Sequence, residues 1–111
     1  MAEDKIKNVA HETVFELAGL VELEAGTVNS RTLSQTDGAK VTVFAIDEGE
    51  GMQSHAAPGD ALVTVLEGTG QITIKGTPHR LAAGQSVVIP TGAPHSVLGL
   101  TPLKMLLVVV K

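Results

Sequence analysis

Twelve glycines and five prolines break this 111-residue chain at short intervals, and between them lie short runs rich in valine, isoleucine and threonine. Breakers at that spacing leave no room for long helices, and β-branched residues fit a pleated, half-buried surface. The pattern predicts an all-β sandwich or barrel of many short strands. Residues 27–33 and 40–46 read as two paired strands around the Asp37-Gly38 turn. Residues 52–56, 61–66, 71–75, 79–81, 86–89, 94–98 and 103–110 read as the rest, each bounded by Gly or Pro. Gly68 and Gly70 flank Thr69 in what reads as a tight hairpin, with 71–75 pairing back on 61–66. Only residues 12–23 carry apolar residues near helical spacing, at Val14, Leu17, Ala18 and Val21; Gly19 interrupts them. The expected organisation is an N-terminal arm or short helix over residues 1–26 and one barrel domain over residues 27–111.

Composition narrows the function classes. The net charge is −4 and the basic residues are scattered, so the clustered cations that phosphate backbones require are missing, and no nucleic-acid partner is expected. The chain lacks cysteine, which excludes disulfides and thiolate metal sites. Its opening residues are polar, and its longest apolar run, 105–110, is too short to span a bilayer. A cytoplasmic location and no membrane partner are expected. Phe15 and Phe44 are the only aromatic side chains besides histidine, so a pocket here has aliphatic and small walls.

Two stretches carry more specific information. Residues 49–70 read G-E-G-M-Q-S-H-A-A-P-G-D-A-L-V-T-V-L-E-G-T-G, and residues 84–95 read G-Q-S-V-V-I-P-T-G-A-P-H. In the second, Pro90 ends a strand because it has no N–H to donate, and Gly92 suits a tight turn that delivers His95 to the next strand. Strand alternation puts His95 and Val97 on one face, and Gln53, His55 and Ala57 on another. If both faces point inward, His55 and His95 converge.

Together these stretches resemble the two signature motifs of the cupin family. The second motif is matched at Gly84, Pro90, Gly92 and His95, with Gly99 at its final Asn position. The first is matched at Gly49, His55 and Gly68. Its second His position holds Ala57, and its Glu position holds Ala61, with Asp60 one residue earlier. The resemblance implies a double-stranded β-helix, or jelly-roll, barrel. It also implies a divalent metal (Zn, Fe, Ni, Cu or Mn) held by three His and one Glu, of which this chain keeps His55 and His95. Gln53 and Asp60 are candidate additional ligands, although Asp60 after Pro58-Gly59 equally fits a turn-stabilising role. Ala57, Ala61, Val63 and Val97 are the expected pocket lining.

The leading functional expectation is a module that binds a small organic ligand around His55 and His95, with a degenerate or weak metal site. The alternative is a metal-dependent oxygenase or isomerase. An assembly role comes third: the apolar end 105–110 and the N-terminal arm would pair two copies in a homodimer.

Overall fold

The computed structural model describes residues 4–111; residues 1–3, which begin the expected arm, lie outside the described residues. Nine strands follow one another with no long helix: β1 (Val28–Gln35), β2 (Ala39–Ile46), β3 (Gly51–His55), β4 (Asp60–Glu67), β5 (Thr69–Ile74), β6 (Thr77–Ala82), β7 (Ser86–Ile89), β8 (His95–Gly99) and β9 (Leu103–Val110). They form a five-stranded sheet in the order β1-β2-β9-β4-β7 and a four-stranded sheet in the order β3-β8-β5-β6, with every neighbouring pair antiparallel. This is the all-β, two-sheet barrel expected from the strand pattern, in the jelly-roll form that the motif resemblance implies. No helix among the described residues is long and apolar enough to cross a membrane.

The sheets close on each other through alternate side chains. Ile46, Ala61, Val63, Val65, Leu103 and Met105 of the larger sheet meet Ile72, Leu81 and Val97 of the smaller one in a buried core. A second apolar cluster lies on the outside of the larger sheet. There Val21, Leu17 and Leu20 from the N-terminal arm cover Val43, Ala45 and Leu33. Lys104 Nζ adds a 2.7 Å hydrogen bond to Ala18 O of the arm. The arm itself contains only one turn of 3-10 helix, Leu17–Leu20, rather than the helix that 12–23 allowed. Gly19 within that turn explains the brevity, since glycine costs about 1 kcal/mol in a helix interior.

One expectation from the strand pattern needs correction. Glu67-Gly68-Thr69 does not make a hairpin. β4 pairs with β7 and β9, whereas β5 pairs with β6 and β8, so Gly68 is the corner where the chain crosses from one sheet to the other. Thr69 is held in the new sheet by its N–H to Thr101 Oγ1 at 2.9 Å and by its carbonyl, which accepts from Leu100 N at 3.1 Å. The run 105–110 belongs to the last strand, Leu103–Val110, which lies inside the larger sheet as the strand pattern indicates. It lies in β9 between β2 and β4, so both of its hydrogen-bonding edges are occupied within the chain and it offers no edge for strand addition. Pro78 is tolerated in β6 because β6 is an edge strand.

Candidate functional site

The chemistry-bearing residues sit where β3 and β8 run side by side. His55 is paired directly with His95 across the two strands, and the ring centroids are 4.4 Å apart, tilted by 58°. His95 is buried, with 3% of its surface exposed, and His55 stands exposed above it. Each ring is oriented by the backbone carbonyl two residues before it. His55 Nδ1 lies 2.9 Å from Gln53 O, and His95 Nδ1 lies 3.0 Å from Ala93 O. A carbonyl oxygen only accepts, so Nδ1 carries the proton in both rings, and in the neutral ring Nε2 carries the free lone pair.

The loops that carry the histidines are tied together. Gly92 N donates to Ala57 O at 3.1 Å, and Asp60 Oδ1 accepts from Thr91 N at 2.9 Å and Thr91 Oγ1 at 2.8 Å. These bonds join the start of β4 to the turn that delivers His95. They hold the Asp60 carboxyl below its ordinary value of 3.8, the Thr91 hydroxyl contributing most and the Thr91 amide next. A depressed folded-state value means the unfolded chain takes up the proton first. The stabilisation is then complete above pH 3.8 and is lost as the pH falls through the lower folded value. Melting curves of the parent and Asp60→Asn should therefore differ above that pH and converge below it. A difference independent of pH would contradict this role.

Between the histidines and the larger sheet lies a cavity of about 320 Å³. His55, Ala57, Pro58 and His95 form one side. Ala61 of β4 and Leu107 and Val109 of β9 form the apolar back. The remaining wall comes from β1 and β2, through Ser30, Thr32, Lys40, Thr42 and Phe44. Thr42 is 3% exposed, and its Oγ1 is buried with no hydrogen-bond partner among the described residues. Such an orphaned hydroxyl destabilises the free protein, so Thr42→Val should raise the unfolding free energy by about 1 kcal/mol. Chemical denaturation measures this, and a loss of stability would mean that the hydroxyl has a partner.

Ala57 and Ala61 thus line the cavity beside His55 and His95. Val63 and Val97 do not line it; they are packed into the barrel core, further along the same inner faces. Gln53 is exposed and off the cavity wall, because β3 carries a bulge. Met52 pairs with Val97 and His55 with His95, so one extra residue intervenes on β3 and the alternation assumed from Gln53 to His55 is broken. Asp60 is likewise off the wall, its Oδ1 bonded to Thr91.

The β1–β2 residues were not anticipated. Their signal was present in the alternation of Lys40, Thr42 and Phe44 with Val41, Val43 and Ala45. The more hydrophobic set faces outward, under the arm, and the more polar set faces the cavity.

The ligand set can be weighed against the metal that the motif resemblance implies. A tight site needs at least three protein ligands. His55 and His95 supply two oriented imidazoles, and among the described residues no group of three or more His, Cys, Asp or Glu comes together. The residues present therefore do not fit a tightly held resident metal.

A two-sheet β-barrel carrying paired histidines on adjacent strands defines a jelly-roll protein of the double-stranded β-helix class. The sequence profile of the cupin domain matches residues 42–110, and the chain belongs to the cupin family. It is similar over its whole length to a conserved protein of unknown function from Streptococcus pyogenes, with 41% identity, 97% of that chain covered and a TM-score of 0.96. A cupin 2 conserved barrel domain protein from Leptotrichia buccalis is also 41% identical, over 87% of this chain and 47% of that one, with a TM-score of 0.85. A 38-residue stretch, 34% of this chain, is 53% identical to the HTH-type transcriptional regulator PuuR of Escherichia coli. The chain spans only 20% of the length of that curated relative.

Proposed function

We propose that the protein is a cupin module that binds a small organic molecule in the cavity bounded by His55, His95 and the β2–β9 wall, with a degenerate metal site. The observation that carries this reading is the pair Ala57 and Ala61. They stand on the cavity wall at the two motif positions where the family pattern has ligands, and they leave open space there. A concave, largely apolar wall with a few polar groups is the usual form of a small-molecule site. The name of the Escherichia coli relative denotes regulation rather than a reaction, which agrees with a binding role.

The test is to narrow the cavity. Ala57→Leu places a larger side chain on the loop between β3 and β4, at the edge of the cavity. Small organic molecules that raise the melting temperature of the parent should fail to raise that of the variant. Equal stabilisation of both proteins would place the binding site elsewhere.

A second reading, a metal-dependent enzyme of the oxygenase or isomerase type, is favoured by one specific observation. Both histidines present the tautomer that a metal ligand requires, each fixed by a backbone carbonyl. It requires a third ligand from outside the pair, such as water or the substrate itself.

A further inference from the structure

The cavity wall has a chemical character that the two histidines do not explain. Lys40 and Thr42 are two residues apart on β2, so their side chains share its inner face. Thr42 pairs with Thr32 of β1, and Ser30 follows on the same inner row, so three hydroxyls and one ammonium group gather along one side. Among the described residues no Asp or Glu lines the cavity, although the chain carries 12 acidic residues against 8 basic ones. The cavity is thus the reverse in sign of the chain as a whole. Thr42 Oγ1, buried without a partner among the described residues, is a donor kept out of water with nothing to donate to. The opposite wall is aliphatic, built from Leu107, Val109 and Ala61.

We propose that the ligand of this cavity is a small monocarboxylate, its carboxylate held by Lys40 and Thr42 and its aliphatic tail packed against Leu107 and Val109. The proposal rests on the reading of the cavity as a ligand site and specifies the class of ligand. A single ammonium balances a single negative charge, and a hydroxyl donor satisfies a carboxylate lone pair. A phosphate ester would bring more charge than one lysine balances. A neutral ligand would leave the ammonium without a counter-charge.

The test uses the full chain, labelled with ¹⁵N, and two acids, butyrate and hexanoate, each matched by its primary amide. The acids should shift the backbone amide signals of Lys40 and Thr42 saturably. The amides, equal in shape but uncharged, should bind on the order of tenfold more weakly, the worth of one charge-assisted hydrogen bond. Lys40→Met and Thr42→Val should each bring the ratio of acid to amide affinity towards one, with the signals of β9 showing that the barrel is intact. Acids and amides binding equally to the parent would overturn the carboxylate assignment and leave the cavity as a ligand site. If neither class shifts any cavity signal, the ligand-site reading itself fails, and this proposal with it.

Discussion

Gly68→Ala is expected to lower the unfolding free energy by about 2–5 kcal/mol, a large fraction of the stability of a typical domain. Two costs combine at this corner. The residue has φ +80°, a backbone conformation that costs an L side chain about 1–2 kcal/mol. A Cβ there would also lie 2.0 Å from Pro102 O and 2.8 Å from Thr101 Oγ1, and the nearer obstacle is backbone that cannot swing aside. Overpacking of that kind typically adds 1–3 kcal/mol or more. Gly76 separates the two contributions, because it has φ +81° but nothing within 4 Å of its would-be Cβ. Gly76→Ala should therefore cost only about 1–2 kcal/mol. Chemical denaturation of both variants checks the pair, and equal losses would mean that the close approach at the sheet crossover carries no weight. The closing glycine of the first signature motif is thus a requirement of chain crossing, independent of any ligand.

The second large effect concerns the histidine pair. With only two imidazoles the parent should take up Zn²⁺ weakly and reversibly, and His95→Ala should weaken that uptake by more than about a hundredfold. Losing a partner that merely orients a ligand already costs 10–100-fold, and His95 would be a ligand itself. His55→Ala should act similarly, since the rings are 4.4 Å apart and address one space. Asp60→Asn should leave uptake within a few-fold of the parent, because its carboxylate is engaged with Thr91 rather than aimed into the cavity. Titration followed by calorimetry distinguishes these outcomes. Strong loss in Asp60→Asn would bring the carboxylate back as a ligand.

Much of the barrel is visible in the sequence because its strands are short and its breakers are regular. Strands such as Ser86–Ile89 and Leu103–Val110 lie where flanking Gly and Pro place them. His55 and His95 stand out because glycine and proline at fixed spacing surround them, and those residues set turns whatever the side chains do. Three features are not readable locally. The bulge in β3 shifts Gln53 off the cavity face, and a bulge is specified by the partner strand, not by alternation within one. The crossing at Gly68 has the same local sequence as a hairpin; only the pairing of β4 with β9 and of β5 with β8 separates them. The inward face of β2 is the third. Hydrophobicity alone would turn Val41, Val43 and Ala45 into the barrel, yet the N-terminal arm covers that side and Lys40, Thr42 and Phe44 face the cavity. Apolar residues in the arm, Leu17, Leu20 and Val21, needed a partner surface, and the outside of the larger sheet supplies it. The polar wall of the cavity and the arm are therefore two consequences of one packing choice.

If the cavity serves an organic ligand, Ala57 and Ala61 have dismantled the metal site of the family pattern and the protein holds no resident metal. Elemental analysis of protein purified without a metal-affinity tag, beside a His55→Ala/His95→Ala double variant, tests this most directly. Transition-metal content should be well below one ion per chain in the parent and should not change significantly in the variant. Close to one ion per chain in the parent, absent from the variant, would contradict this reading and establish a third ligand that completes a resident metal centre.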